Sequence, residues 1–147
     1  MKEVSILGAT GSIGLNTLEV ISRHTDKYKV FALSANKSWQ KMLLLCKTHM
    51  PTYAVLIDPD AAESLRKTAP EGVTVLSGEN ALIEIASHKE VDYVMAAVVG
   101  SVGMTSTIAA VDAGKRVMLA NKESLVLAGN LLINAAKKSG AELIPVD

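Results

Sequence analysis

Short apolar runs and helical segments alternate along the whole of this 147-residue chain, and that order constrains its fold more than any other feature. Strands are expected at Glu3–Leu7, Lys29–Leu33, Tyr53–Ile57, Val73–Leu76, Asp92–Ala97, Arg116–Leu119 and Glu142–Val146. Helices are expected at Ser12–Arg23, Trp39–Thr48, Asp60–Thr68, Asn80–Ser87, Met104–Ala113 and Lys122–Lys138, the last with an apolar stripe of Ala128, Leu131, Leu132 and Ala135. Gly114 and Gly140 stand where helix C-caps belong. Strict βαβα order implies an α/β fold, a Rossmann-like, doubly wound, mostly parallel sheet with helices on both faces. Apolar residues make up 49% of the chain, with one Phe, one Trp and three Tyr. The core is therefore aliphatic, which suits a parallel sheet buried on both sides. The length fits one domain, residues 1–147.

The first strand runs into "GATGSIG", with glycines at 8, 11 and 14, and then into a helix. Strand, glycine turn and helix together open a dinucleotide-binding βαβ unit, here with the G-x-x-G-x-x-G spacing. Gly8 permits the tight turn off the strand. Gly11, lacking a Cβ, lets backbone approach a pyrophosphate. Gly14 shares a helical face with Thr17, Leu18 and Ile21, so its missing side chain brings that face against the sheet. The pyrophosphate would rest on unpaired N–H groups at the positive end of the helix. Ser12 can cap that helix, donate to a phosphate, or do both.

In such a sheet, ligands bind at the carboxyl ends of the strands. The informative residues are then Gly8–Gly14, Ser34–Ser38, Val98–Gly103, Ala120–Ser124 and Asp147. The second strand ends in "LSANKS" and carries no Asp or Glu to hold a ribose 2′-hydroxyl. Lys37 supplies a cation instead, flanked by Asn36 and Ser38 as hydrogen-bond donors, which suits a 2′-phosphate and favours NADP(H) over NAD(H). The bland alternative is a polar loop with Lys37 in solvent. In "LANKES", Asn121 reads as an N-cap and Glu123 as a helix-dipole partner, but Lys122 near a positive helix end calls for a nearby anion. Asp147, taken alone, is a carboxylate without a partner. His24, His49 and His88 fall near helix C-termini, where a dipole contact accounts for each.

Composition excludes several classes. Fifteen basic residues balance 15 acidic ones, and no basic cluster exceeds Lys137-Lys138, so neither nucleic acid nor an anionic membrane is a partner. Tyr93–Val111 carries no charge over 19 residues, but its two glycines and central hydroxyl residues read as strand, GSVG loop and helix instead of a membrane span. A strand begins almost at Met1, so no signal peptide is expected. The single cysteine, Cys46, lies among Met42–Leu45 on an expected helix, as a buried thiol consistent with a reducing cytoplasm. A short-chain reductase would need a Tyr-x-x-x-Lys pair, whereas Tyr28, Tyr53 and Tyr93 are followed four residues on by Ala32, Ile57 and Ala97. A semialdehyde dehydrogenase would need a nucleophilic cysteine at a rim. A nucleotide-sensing module without catalysis remains open, since a fold does not fix function.

Taken together, "ILGATGSIG", "VMAAVVGSVG" at Val94–Gly103, "LANKESLV" at Leu119–Val126 and the final "PVD" resemble one family over essentially the whole chain: 1-deoxy-D-xylulose 5-phosphate reductoisomerase. "ANKESLV" is the most specific piece. The resemblance implies an enzyme of non-mevalonate isoprenoid biosynthesis that rearranges its phosphorylated sugar substrate to an aldehyde. It then reduces the aldehyde to 2-C-methyl-D-erythritol 4-phosphate, with NADPH and Mg²⁺ or Mn²⁺. By that resemblance Thr10, Gly11, Ser12 and Ile13 hold the NADPH phosphates, with Gly8 forming the turn. Lys37 and Ser38 hold the 2′-phosphate beside Asn36, Asn121 and Glu123 lie near the nicotinamide, Lys122 binds substrate, and Asp147 is a metal carboxylate. Many members have Gly-Lys-Asn where this chain has Asn36-Lys37-Ser38. The family chain is longer, and its further metal carboxylates, substrate-phosphate residues and lid follow the position of Asp147. Expected, then, is an NADPH-binding domain cut at its active rim, inactive by itself, with no catalytic residue of its own and from a homodimeric cytoplasmic parent.

Overall fold

The computed structural model describes residues 1–120 and 122–146, without the side chains of 122–125 and 127. Its strands are β1 (Lys2–Leu7), β2 (Tyr28–Ala35), β3 (Tyr53–Leu56), β4 (Thr74–Ser77), β5 (Tyr93–Ala96), β6 (Arg116–Leu119) and β7 (Glu142–Pro145). Between them run α1 (Ser12–Ser22), α2 (Trp39–His49), α3 (Pro59–Thr68), α4 (Glu79–Ser87), α5 (Gly100–Asp112) and α6 (Lys122–Ser139). Every strand pairing is parallel, and the order across the sheet is β4-β3-β2-β1-β5-β6-β7. The doubly wound α/β fold expected from the alternation is the one observed.

The order explains the layers. The chain steps outward from β1 to β4, returns through α4 to the other side of β1, and steps outward again to β7. Crossovers of one hand place the connections of the two halves on opposite faces. Leu18, Ile21, Met42, Cys46 and Leu65 of α1, α2 and α3 pack on one face. Leu82, Ile85, Val111 and Leu132 of α4, α5 and α6 pack on the other. Ser5, a polar residue in the central strand, is fully buried, but its hydroxyl donates to the Ile85 carbonyl at 2.7 Å, so it ties β1 to α4 without leaving an unpaired group.

The main departure from the sequence expectation is at Gly100–Gly103, read as a loop before a helix at Met104. These residues form the first turn of α5. A Cβ on Gly103 would lie 2.7 Å from the Val98 carbonyl carbon and closer still to its oxygen. The glycine is there for a close local contact between the first turn of α5 and the segment just after β5, which glycine content mimics as a loop signal. In α6 the backbone leaves helical geometry at Ala128 (φ −132°, ψ 20°). Leu131 is 57% exposed, and the buried stripe runs through Leu132, Ala135 and Ala136 instead. Gly114 and Gly140 follow α5 and α6 with φ of +77° and +82°, as helix-ending glycines do.

Cys46 is fully buried on α2, and burial pushes its thiol pKa up to about 11. It is expected to resist thiol reagents at neutral pH until the protein is unfolded. Its raised native pKa also has a sign for stability. The unfolded thiol ionises first, so this contribution is intact below about pH 9 and is lost as pH climbs towards 11. Between pH 8 and pH 10 the loss is about 1 kcal/mol. Urea midpoints of the parent and Cys46→Ala, compared at both pH values, should show the extra slope only in the parent.

Candidate functional site

The crevice of a doubly wound sheet opens where neighbouring strands send their connections to opposite faces. Here that point lies between β1 and β5, whose ends pair Leu7 with Ala96. The Ala97 N–H donates to the Leu7 carbonyl at 3.0 Å, and the two chains then diverge into α1 and α5. Gly8 makes the turn with φ +83°, and a Cβ there would stand 2.8 Å from the Ala97 carbonyl oxygen. Gly14 is packed harder: its Cβ would lie 2.7 Å from Ala9 Cα and closer to the Gly8 carbonyl oxygen. Gly14, Leu18 and Ile21 are the buried residues of α1, as their spacing suggests, but Gly14 meets the backbone of the loop itself. Gly11 differs. A Cβ there would find one neighbour, the Gly8 carbonyl oxygen, at 3.7 Å. Among the described residues no contact excludes a side chain at that position, so room is left beside the loop for something else.

The loop is held from β2. The buried Ser34 hydroxyl accepts from the Gly8 N–H at 3.1 Å, and its carbonyl accepts from the Ala9 N–H at 2.7 Å. Those amides are thereby occupied. The first bond within α1 runs from the Leu15 N–H to the Gly11 carbonyl at 2.9 Å. Ser12, Ile13 and Gly14 therefore contribute N–H groups without a helical acceptor, and no side chain caps them. Ser12 is not the cap: Gly11 occupies that position, and Ser12 is the exposed first helical residue. Its hydroxyl is placed to donate outward. Ser34 falls in the rim stretch singled out from the sequence, but its role in holding the loop is one the motifs do not show. Its signal was a serine inside an otherwise apolar strand.

Two adjoining clefts follow the crevice. One, of about 280 Å³, is lined by Gly8, Gly11, Ser12, Ile13, Gly14, Ala97, Val99 and Ala120. The other, of about 480 Å³, extends past Thr10, Ser34, Ala35 and Asn36 to an apolar wall of Ile57, Leu82, Val98 and Val102. Together they cross the carboxyl ends from β3 to β6. Among the described residues no carboxylate lines either cleft.

Helix electrostatics sharpen this. The α1, α2 and α5 N-termini have no acidic residue in their first turns and no side-chain cap. By contrast, α3 is capped by Asp58, whose carboxylate accepts from the Ala61 N–H at 2.9 Å, and carries Asp60, while α4 carries Glu79. Uncapped positive helix ends around a cleft with no carboxylate among its described lining residues suit an anionic ligand with phosphate groups. At the end of β2, Asn36 lines the wider cleft, and Lys37 follows it, exposed to solvent. Among the described residues no carboxylate lies within ion-pair distance of Lys37. Ser38 is the N-cap residue of α2, and its side chain makes no capping bond.

Asn121 and Asp147 lie outside the described residues, as do the side chains of Lys122 and Glu123. Among the described residues, no group of three or more His, Cys, Asp or Glu side chains could hold a metal ion. Cys46, the one candidate nucleophile for thioester chemistry, is buried under α2 and lines neither cleft. Among the described residues no helix is long and apolar enough to cross a membrane, and Tyr93–Val111 is divided between β5 and α5.

A family model described as 1-deoxy-D-xylulose 5-phosphate reductoisomerase matches residues 4–129. Curated relatives of that name from Vesicomyosocius okutanii subsp. Calyptogena okutanii (strain HA) and Shewanella sp. (strain ANA-3) are 51% and 56% identical, each across all of this chain. The chain spans 38% of the length of each of these relatives. Among solved structures, 1-deoxy-D-xylulose 5-phosphate reductoisomerase from Zymomonas mobilis in complex with NADPH superposes with a TM-score of 0.94 at 43% identity, over 99% of this chain and 38% of that one. DOX-P reductoisomerase in complex with NADPH, fosmidomycin and magnesium superposes at 0.92 with 44% identity, over 99% of this chain and 36% of that one. A putative homoserine dehydrogenase from Archaeoglobus fulgidus, 22% identical with a TM-score of 0.63, shares the fold alone. The glycine loop, the crevice and the "ANKESLV" segment thus occur in a chain whose matches extend from end to end, and this chain belongs to the 1-deoxy-D-xylulose 5-phosphate reductoisomerase family.

Proposed function

We propose that this chain is the NADPH-binding domain of a longer reductoisomerase that converts 1-deoxy-D-xylulose 5-phosphate to 2-C-methyl-D-erythritol 4-phosphate. The observation that carries this reading is the set of uncapped Ser12, Ile13 and Gly14 amides opening on a cleft with no carboxylate among its described lining residues. In it, Thr10, Gly11, Ser12 and Ile13 bind the cofactor phosphates, and Gly8 and Gly14 hold the loop in shape. Asn36, Lys37 and Ser38 bind the 2′-phosphate, which distinguishes NADPH from NADH. The apolar wall of Ile57, Leu82 and Val102 takes the flat base. Bound NADPH supplies the hydride. Asn121 and Glu123 contact the nicotinamide end, Lys122 binds the phosphorylated substrate, and Asp147 contributes one carboxylate to a Mg²⁺ or Mn²⁺ site. That site needs further oxygen ligands from the rest of the longer chain, because these cations are held by several oxygens at once. The same reading places the parent in the cytoplasm as a homodimer.

Calorimetric titration of the chain with NADPH and NADH in parallel tests this. NADPH is expected to bind clearly more tightly, while the same sample with substrate and Mn²⁺ gives no turnover. Equal affinities would remove the 2′-phosphate assignment, and turnover by the chain alone would remove the division of labour.

A further inference from the structure

The two faces of the sheet are covered unequally. On one, α4, α5 and α6 reach from β4 to β7. On the other, α1, α2 and α3 stop at β1, and among the described residues no helix lies over β5, β6 and β7. The topology dictates this: the return crossing α4 adds a helix to one face only. Beside α1 is a cleft of about 350 Å³ lined mainly by apolar groups, among them Val20, Tyr93, Met118, Ile144 and Val146. Val20 is 52% exposed and Ile144 37%. Arg116 crosses its floor with its guanidinium 5.0 Å from the Tyr93 ring centre, and its buried Nε has no hydrogen-bond partner among the described residues.

Parallel sheets are stable with both faces covered. Three strands about 4.8 Å apart present a strip about 10–14 Å wide, which matches the diameter of one α-helix, about 10–12 Å. We infer that this bare face is a seat for one amphipathic helix from the polypeptide that makes up the rest of the relatives' length, 62% of it by difference from the 38% matched. The helix lies beside α1 and lays its apolar side on Met118 and Ile144. A second copy of this chain fits poorly, because a recess cannot fill an identical recess. The inference rests on the reading of this chain as part of a longer reductoisomerase.

The test is maleimide labelling of Val20→Cys and Ile144→Cys, each introduced into the longer family chain that carries this segment. The comparison is Leu44→Cys on the outer side of α2, where Leu44 is 66% exposed. Both groove positions are expected to react at least tenfold more slowly than the control, at any protein concentration. Rates equal to the control at either position would overturn the inference. So would protection that disappears on dilution, which would assign the face to a second copy. NADPH titration of the same samples separates the two readings: binding with an unprotected groove leaves the cofactor assignment standing and removes this one.

Discussion

Gly14→Ala is expected to abolish NADPH binding and to lower the unfolding free energy by about 3 kcal/mol, the upper end for overpacking a tight contact. The added methyl would meet the Gly8 carbonyl and Ala9 Cα, backbone atoms that have no rotamer to move into. Relief requires the loop to leave β1, which pulls on the Ser34 bonds to Gly8 and Ala9 and turns the α1 amides away from the cleft. Gly11→Ala separates folding from binding. Its methyl meets one atom, at 3.7 Å, and its φ of −81° suits any residue. The exchange of glycine for alanine at an N-cap costs about 1 kcal/mol or less. The methyl would nevertheless occupy the space assigned to the pyrophosphate. Thermal melts and calorimetry on both variants give the comparison. Gly14→Ala should lose stability and binding together, and Gly11→Ala should lose binding with its melting temperature nearly intact. If Gly11→Ala binds NADPH as the parent does, the phosphates do not lie on this loop.

Lys37→Ala should weaken NADPH about 10- to 100-fold and leave NADH unchanged, since a hydrogen bond to a charged group contributes about 1.5–3 kcal/mol. The exposed ammonium has no competing carboxylate among the described residues, so the 2′-phosphate would be its partner. Much of this preference should fade in high salt, because an exposed pair is screened. Lys37→Glu should reverse it, placing a carboxylate where NAD-dependent sites hold the ribose hydroxyls. Titrations of the three proteins with both nucleotides, at low and high salt, read the ratio directly. An unchanged ratio in Lys37→Ala would move 2′-phosphate recognition away from the end of β2.

The glycine loop was legible because its requirements are local. A strand, a positive-φ turn at Gly8 and a helix entry at Gly11 are written in consecutive residues. So was Cys46, whose place among apolar helix residues already implied burial. The role of Ser34 was not, because its partners, the Gly8 and Ala9 amides, are 26 and 25 positions away in sequence and adjacent only across paired strands. The start of α5 differs for another reason: Gly103 is glycine because Val98, only five residues earlier, passes against it, and glycine content by itself does not tell such a helix contact from a loop. The sequence by itself determined the element order, the parallel doubly wound class and the position of the glycine loop, since hydrophobic period and turn chemistry act over a few residues. Only the tertiary structure decided that β5 lies beside β1, that two uncapped helix ends share one crevice, and that one half of a sheet face is left bare. Those are consequences of which strands meet, and that choice is made by burial and backbone pairing between distant segments of the chain.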